Sequence, residues 1–503
     1  MKRIFVLLLA AVLLLQAAPR KPKLVLAIVI DQFRYDYLTR FRSEYHAGFD
    51  RLLTKGAVFT NARYEHFPTV TAIGHSTILS GATPSISGII GNDWYDRDDG
   101  GKVTSVSDPK TQLLGGNGTG SSPRRMLVDT VGDELKIADN GKSRVIGISL
   151  KDRAAILPAG HMADGAYWFD TRSGNFVSST YYFADLPGWV KDFNATRPAD
   201  KYQSATWLNR KLPPAAPQLY SAIDASPFGN EMIESFAERA LDAEQLGKRD
   251  VTDVLAVSFS SNDYVGHALG PDSPEVHEIS VRTDAILEKL FQAVDRAVGL
   301  DNALVILTAD HGVAPVPEVN TARKMPGGRI PAGTFTKTVQ AALTEKYGEG
   351  QWIVSDSDHS LYFNLPLIEQ KKLDRAEVNR FAADVALHLP HVFRVYTREQ
   401  LMAGLAQEDQ VARRVMNGFY VRRGPDVEIL LEPYWMYAAT GTTHGTTFSY
   451  DSHVPVILMG AGIRPGRYYN PIAVNDIAPT LAAILEVETP FGSVGRVLSE
   501  SFE

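Results

Sequence analysis

Five continuous apolar runs are spaced along the chain, each long enough for one strand. They are rich in Val, Leu and Ile, as expected for strands that are buried on both faces of a sheet. The runs are Lys23–Ile30, Arg144–Leu150, Val251–Phe259, Ala303–Thr308 and Val454–Met459.

Segments with apolar residues at three- and four-residue spacing separate these runs. Glu275–Val298 shows this spacing over most of its length, and Asp476–Leu485 is a shorter helical segment that Asn475 or Asp476 is placed to cap. The alternation of strands and helices predicts an α/β fold, with a mostly parallel central sheet and helices on both faces.

Two stretches interrupt this alternation. The first is rich in aromatic residues, Pro and Gly, and the second has short helix and strand patterns of its own that end near Arg422–Pro425. We therefore expect one catalytic domain, residues 19–503, with an aromatic-rich insertion at about 155–226 and an α+β insertion at about 324–423. The glycines of the flexible segment Gly115–Ser122 do not follow a strand in dinucleotide-fingerprint spacing, which argues against a dinucleotide site.

The first residues have the pattern of a secretory signal. Lys2 and Arg3 precede the apolar run Ile4–Leu15, and small residues follow at Ala17 and Ala18. The run is about a dozen residues long, which is short for a membrane span. We predict a signal peptide at residues 1–18 and a periplasmic or secreted protein with no stable membrane association after cleavage; retention as an anchor is the alternative.

Charge and composition narrow the choice of partners. The 503 residues include 51 basic and 58 acidic side chains and no Cys. The acidic excess argues against nucleic acid or an anionic membrane as a partner. Without Cys, disulfides and thiolate metal ligands are excluded.

Carboxylate and imidazole side chains occur at positions where strands give way to loops. Asp263 and His267 are four residues apart, a spacing that places both on one face of a helix. Adjacent residues at a strand end share a metal only if the backbone bends, and Gly312 permits such a bend. Each residue alone has a plainer explanation, such as a helix cap, a surface ion pair or a loop histidine. Together they indicate a site for two metal ions, with zinc favoured by the ligand types; the set is Asp31, Asp263, His267, Asp310, His311 and His444.

Thr71 is the candidate nucleophile. It precedes a small-residue helical segment that begins near Ala72, and a helix N-terminus favours an anion. A hydroxyl at that place beside a dication can lose its proton and attack phosphorus. The alternative is that Thr71 only caps the helix. His75 lies on the same helix face, and we expect it to pack or hydrogen-bond near the site instead of binding metal.

As a set, these motifs resemble the alkaline phosphatase superfamily and, within it, the branch similar to type I phosphodiesterases and nucleotide pyrophosphatases. The resemblance covers most of the chain and is carried by Ala27–Asp31, Thr71–His75, Gly91–Tyr95, Asp263–His267, Thr308–Gly312, Thr443–Gly445 and Asn475–Thr480. It implies an alkaline-phosphatase-like fold with insertions and two Zn²⁺ ions. Ile73 departs from the family pattern, in which we expect proline.

The resemblance also implies roles for single residues. One zinc would be held by Asp31, Thr71, Asp310 and His311, and the other by Asp263, His267 and His444. Thr71 would form a covalent phosphothreonine. Asn92, Lys151 and Arg153 match the phosphate-binding trio of the phosphate-irrepressible alkaline phosphatases that use threonine.

Lys151 and Arg153 favour a monoester as the substrate. They alternate across Asp152, so in an extended chain they point to the same side. Two cations suit the dianion of a monoester better than the monoanion of a diester. We therefore predict a secreted, zinc-dependent alkaline phosphatase that acts on small-molecule phosphate monoesters. The alternatives are a phosphodiesterase or nucleotide pyrophosphatase with the same metals, a phosphonate or sulfate hydrolase, and a metal-dependent binding protein that does not turn over.

Overall fold

The structure, a computed structural model, describes residues 21–356, 360–405 and 408–503. The predicted signal peptide, residues 1–18, lies outside these ranges and stays a prediction. Within the described ranges, no helix combines the length and the apolar character that crossing a bilayer requires.

Most of the strands join one large mixed sheet of twelve strands. Its members are β1 (Leu24–Ile30), β2 (Ala57–Arg63), β5 (Ser107–Leu114), β6 (Thr119–Ser121), β7 (Val145–Ser149), β8 (Gly165–Asp170), β9 (Asn175–Ser179), β12 (Asp253–Phe259), β13 (Ala303–Thr308), β20 (His453–Gly460), β21 (Gly466–Tyr468) and β22 (Ile472–Ala473). The remaining strands are β3 (Asp93–Asp96), β4 (Gly101–Thr104), β10 (Thr206–Trp207), β11 (Arg210–Lys211), β14 (Gly328–Arg329), β15 (Ile353–Asp356), β16 (Ser360–Phe363), β17 (Val392–Thr397), β18 (Val427–Leu431) and β19 (Trp435–Met436).

Helices cover the sheets and fill the connections between strands. In chain order the α-helices are Tyr37–Arg40, Gly48–Lys55, Thr71–Ser80, Pro84–Ser87, Val131–Ala138, Asp152–Ala159, Gly188–Ala195, Gln218–Asp224, Pro227–Ala243, Ser261–Leu269, Pro274–Val298, Pro317–Ala322, Thr334–Tyr347, Leu365–Gln370, Arg375–Leu387, Arg398–Ala403, Gln410–Gly418, Ser449–Ser452 and Ile477–Leu485.

The centre of the large sheet is parallel. Strand β1 lies between β12 and β13, in register from Leu24 opposite Asp253 and Ala303. All seven residues of β1 are buried, which is why this segment reads as an unbroken apolar run. Strands β7 and β8 continue the parallel block beyond β12. The five predicted strands are present within one or two residues of their predicted ends, and the predicted α/β fold is confirmed.

Strand β20 departs from the parallel arrangement. It lies between β13 and β2 and runs antiparallel to both. An apolar run reports burial but not strand direction, so the sequence pattern contains no signal for this reversal.

The start of the last helix differs from its predicted cap. Asp476 occupies the N-cap position of Ile477–Leu485 without a side-chain capping bond. Its carboxylate instead accepts from the backbone N–H groups of Ala473 and Arg496, and so ties the C-terminal segment to the helix start.

The aromatic-rich segment at 155–226 contributes to the main core. Strands β8 and β9 extend the large sheet, and the Phe176 ring on β9 stacks on Phe236 with 3.9 Å between centroids. The segment at 324–423 contains most of a separate four-stranded sheet, ordered β15-β16-β18-β17. Strand β18 follows the expected boundary at Arg422–Pro425, so this small sheet extends beyond it. This small sheet has a separate hydrophobic core, in which Trp352 is fully buried.

Candidate active site

The candidate site lies at the carboxyl ends of the central strands, where open α/β sheets bind ligands. Asp31 directly follows β1, and one residue separates Asp310 from the end of β13. Asp263 is in the first turn of the helix that follows β12. Since β1 lies between β12 and β13, the three carboxylates meet at one edge of the sheet. All three are at least 96% buried.

Asp263, His267 and His444 form one group of potential metal ligands. One ligand atom from each lies within 4.8 Å of the others. His267 Nε2 is 3.2 Å and His444 Nε2 is 3.7 Å from Asp263 Oδ1. This is the set that the sequence analysis assigned to one metal ion.

The second group brings Asp31 and Asp310 together with His75, within 4.8 Å of one another. His311 also belongs here, because its Nε2 lies 3.2 Å from Asp310 Oδ2 and 3.4 Å from Thr71 Oγ1. Both ring nitrogens of His75 have protein partners, the Thr71 carbonyl and the Ser258 hydroxyl, each at 2.9 Å. His75 therefore hydrogen-bonds to residues beside the site, as expected from the sequence.

Three histidines share one tautomer, which leaves Nε2 as the nitrogen that can bind a metal. The Nδ1 atoms of His267, His311 and His444 donate to the backbone carbonyls of Thr442, Gly312 and Thr69, at 2.8–2.9 Å. A carbonyl can only accept, so the proton is on Nδ1 and, in the neutral ring, the Nε2 lone pair is free. Ligating histidines in metalloproteins are oriented in this way.

The backbone after β13 places Asp310 and His311 at the same spot. The sequence analysis attributed the required bend to the freedom of Gly312. Gly312 does not adopt a positive φ. It is needed because a Cβ there would lie 2.2 Å from the Tyr450 carbonyl oxygen, so the reason is a close approach of two loops.

Thr71 is the first residue of the helix Thr71–Ser80 and is 99% buried. Asn92 Oδ1 accepts from the Ala72 N–H at 2.9 Å, which leaves the Asn92 amide N–H groups available at the helix start. The sequence therefore placed the hydroxyl correctly at the helix N-terminus, and Asn92 is held directly beside it.

Lys151 lies among the carboxylates. Its Nζ is 2.5 Å from Asp263 Oδ2 and 3.0 Å from Asp31 Oδ2. The expectation that Lys151 and Arg153 point to one side of an extended segment is wrong. Lys151 is extended, but Arg153 is already in the first turn of the helix Asp152–Ala159, because Lys151 is the helix N-cap. Arg153 Nε is buried without a hydrogen-bond partner among the described residues.

Opposite charges in this buried space shift several pKa values. Burial alone would lower the pKa of His311, but Asp310 outweighs it and raises the pKa to about 9. For Asp263, burial is outweighed by Lys151 and His267, which hold its pKa well below the usual range. Burial, with the nearby His311 and His267, lowers the pKa of His444. In the absence of metal, the site thus stabilises ionised carboxylates and a protonated His311 beside a neutral His444.

The donor set fits divalent metal ions. One oxygen of Asp31 accepts from Ser258 and one oxygen of Asp310 accepts from the Gln32 N–H, at 2.7 and 3.0 Å. The Oδ2 atom of each carboxylate is buried without a hydrogen-bond partner in the described part of the chain. Lys151 contacts one of these atoms as a charge, without hydrogen-bond alignment. Carboxylates held on one side, together with free imidazole nitrogens, form a site of the type that binds zinc.

The sequence analysis did not single out two residues of the site. Gln32 donates its backbone N–H to Asp310 and its side-chain amide to Asp263, so it joins the two ligand groups. It does so with a φ of +60°, a conformation that is costly for a non-Gly residue and occurs at functional sites. Ser258 interrupts the apolar run of β12, and that polar residue in a buried strand was the only sign of its contact with Asp31.

A cavity of about 250 Å³ opens from the site toward the small sheet. At one end it is lined by Asn92, His267 and His444, and at the other by Tyr362 and Glu428. Burial raises the pKa of Glu428 to about 8, partly offset by its hydrogen bond from Ser360. The sequence analysis did not single out the residues of this far wall.

The sequence matches a known protein family. The model of the type I phosphodiesterase/nucleotide pyrophosphatase family matches residues 25–453. The chain belongs to this family. It is 38% identical to alkaline phosphatase PafA of Elizabethkingia meningoseptica, over 96% of this chain and 95% of the relative. It is 37% identical to alkaline phosphatase PhoV of Synechococcus elongatus, over 95% of this chain and 93% of the relative.

The fold agrees with these sequence relatives. The crystal structure of wild-type PafA superposes with a TM-score of 0.91 at 36% identity, covering 97% of this chain and all of the other. The family resemblance and the alkaline-phosphatase-like fold predicted from the sequence are therefore confirmed.

Proposed function

We propose that this protein is a zinc-dependent phosphomonoesterase that works through a covalent phosphothreonine. The observation that carries the proposal is the position of Thr71, a buried hydroxyl at a helix start, 3.4 Å from His311, whose ring stacks on that of His444 at 3.5 Å between centroids. The predicted enzyme class, alkaline phosphatase, is confirmed by relatives that match nearly the whole chain. Export by way of residues 1–18 remains part of the proposal.

In the proposed reaction, the Thr71 oxygen attacks phosphorus in line and the bond between phosphorus and the alcohol oxygen breaks. Water then attacks the phosphothreonine from the side that the alcohol has left. The phosphorus–Thr71 bond breaks, and the products are the free alcohol and inorganic phosphate. When bound, zinc would promote loss of protons from the hydroxyl and the water and neutralise charge on the leaving oxygen.

The protein's own groups position the phosphoryl group. Asn92 is fixed by its bond to the Ala72 N–H, so its amide protons are preorganised to donate to a non-bridging oxygen. Burial would lower the pKa of Lys151, but Asp263 and Asp31 outweigh it, so the ammonium stays charged. Arg153 follows within one helical turn and supplies the second cation. A dianionic monoester gains more from two cations than a diester does.

The test compares a monoester with a diester. We expect the zinc-loaded protein to have a much larger kcat/KM for p-nitrophenyl phosphate than for bis-p-nitrophenyl phosphate, and to lose both activities with a chelator. Lys151→Ala combined with Arg153→Ala should reduce monoester hydrolysis by more than about tenfold beyond its effect on the diester.

Lys142→Ala is the matched control, because Lys142 is exposed near the opposite end of strand β7. It should leave the monoester-to-diester ratio unchanged. Equal losses on both substrates in the double variant would remove the reason to prefer a monoesterase, and a diester preference in the wild type would assign the protein to the phosphodiesterases of its family.

A further inference from the structure

The cavity beside the site has a polar far wall built by a different part of the chain. Its near end contains His267 and His444, which belong to the ligand group without Asp310, and the proposed in-line attack would expel the alcohol on the side opposite Thr71. Its far end is formed by strands β15, β16 and β18 of the small sheet, through Asp356, Ser360 and Glu428. The alcohol that leaves phosphorus as Thr71 attacks would therefore be released toward this small sheet.

Glu428 is the most deeply buried acid of the far wall. It is 93% buried, and its Oε1 accepts from the Ser360 hydroxyl at 2.7 Å. Among the described residues, its second carboxyl oxygen has no hydrogen-bond partner. Because Glu428 lines the cavity, a bound ligand can supply that partner.

The fixed charges of the wall are negative on balance. Lys102 is the one Lys or Arg among the described residues that line this cavity, and it pairs with Asp93 at 2.9 Å. Asp356 accepts from the Thr336 hydroxyl and has no cationic partner in the described part of the chain. Asp356, and Glu428 once the pH is high enough to ionise it, therefore leave an excess of acid over base in the cavity.

Aromatic rings complete the lining. Tyr95 and Tyr362 lie 5.8 Å apart between centroids. Arg97 lies 5.2 Å from the Tyr362 centroid and Arg423 lies 5.1 Å from the Trp94 centroid, so among the described residues Tyr95 is the ring of the three with no cation over its face. Aromatic faces attract organic cations, and the attraction is stronger where water is excluded. Acidic groups and aromatic faces in one cavity are the combination that binds an ammonium group.

We propose that this cavity is a leaving-group site that selects phosphate monoesters of positively charged, amine-bearing alcohols and disfavours those whose alcohol carries an additional anion. The inference rests on the proposed phosphomonoesterase function and adds the substrate class. In it Glu428 and Asp356 are specificity-determining residues, and the aromatic rings shield the ammonium group from water.

The test uses phenyl phosphates that differ only in a para substituent, which is trimethylammoniomethyl, hydroxymethyl or carboxymethyl. Assays at about pH 9.5 keep Glu428 ionised, and the quaternary cation does not titrate. We expect the wild-type kcat/KM to fall in the order cation, neutral, anion. Glu428→Gln should lower the cation-to-neutral ratio about tenfold, the scale of losing one close pair of opposite charges, since the quaternary group has no N–H to donate.

Two further variants make the result specific. Asp356→Asn, at an exposed position, should lower the same ratio by a smaller factor and does not depend on how Glu428→Gln folds. Glu369→Gln changes the same charge on an exposed helix of the same insertion, away from the cavity, and should leave the ratio at its wild-type value.

An unchanged ratio in both Glu428→Gln and Asp356→Asn would overturn the inference. So would a wild-type preference for the carboxymethyl ester while p-nitrophenyl phosphate is hydrolysed, and that outcome would leave the proposed function intact. Failure to hydrolyse any monoester, p-nitrophenyl phosphate included, would instead refute the proposed function.

Discussion

Single residues in this site are held by hydrogen bonds to neighbouring side chains. Ser258 donates to Asp31, and His75 connects the Ser258 hydroxyl to the Thr71 carbonyl. The ligand group of Asp31 and Asp310 and the backbone of the proposed nucleophile are therefore linked by the side chains of Ser258 and His75. Preorganisation of this type fixes the geometry before substrate arrives.

Thr71→Ala should abolish turnover and leave metal binding mostly intact, because it removes the attacking oxygen but none of the carboxylates or imidazoles. We expect kcat for p-nitrophenyl phosphate to fall by more than about a thousandfold. Metal content, measured by mass spectrometry after zinc loading, should stay close to that of the wild type.

Thr71→Ser is the matched control, since it keeps a hydroxyl at the same helix start, and it should retain most of the activity. Near-full turnover by Thr71→Ala would show that another group attacks phosphorus.

What the sequence revealed at this scale depended on residue type. Asp and His are uncommon at the ends of buried strands, so Asp31, Asp310 and His311 were recognisable in the sequence. Gln32 and Glu428 are ordinary polar residues whose roles come from neighbours more than two hundred and about seventy positions away in the chain, Asp263 and Ser360. No local pattern encodes such contacts.

At the scale of elements, the site depends on how closely one helix approaches one loop. The helix Thr71–Ser80 passes the loop after β13 at Gly74, where an added Cβ would lie 2.3 Å from the Asp310 carbonyl oxygen. The helix that begins at the proposed nucleophile and the loop that contains a candidate metal ligand are thus positioned against each other by direct backbone contact.

Gly74→Ala should separate the helix from the Asp310 loop. A displacement of about 1 Å in a catalytic group costs on the order of a hundredfold in rate, so we expect a loss of that size in kcat/KM for p-nitrophenyl phosphate, with weaker zinc binding by titration. Gly188→Ala makes the same change where a Cβ meets no atom within 4 Å, and should keep wild-type activity. Equal activity in the two variants would contradict this account.

The sequence predicts where strands begin and end better than it predicts the direction in which they run. The apolar runs fixed β1, β12 and β13 because these strands are buried on both faces. The antiparallel direction of β20 and the N-cap role of Lys151 depend on the chain's path between elements, which periodicity does not record.

At the scale of the whole molecule, folding buries acids that the unfolded chain leaves in water. Burial raises the pKa of Asp224 and Glu428 to about 8 and that of Asp451 to about 7. Between their unfolded and folded pKa values, the folded protein binds more protons than the unfolded one. These groups therefore make stability fall as the pH rises through that window.

Glu428→Gln should flatten this dependence. The wild-type contribution from Glu428 is lost between about pH 4.5 and about pH 8, and Gln has no proton to lose. Each pKa unit corresponds to about 1.4 kcal/mol, so the upper limit is several kcal/mol. We expect the drop in the free energy of unfolding from pH 5 to pH 8.5, measured by urea titration, to be smaller in Glu428→Gln than in the wild type. Parallel curves would mean that Glu428 is ionised in the folded protein at neutral pH.

The position of β20 sets the order in which this molecule can be assembled during synthesis. Residues of β2 pair with residues of β20 that leave the ribosome about four hundred positions later, such as Ala57 with Leu458. Until then both β2 and β13 have an edge without its partner strand, and open edges invite pairing between chains. Completion of the large sheet, and with it the site that includes His444, therefore cannot occur until β20 has left the ribosome.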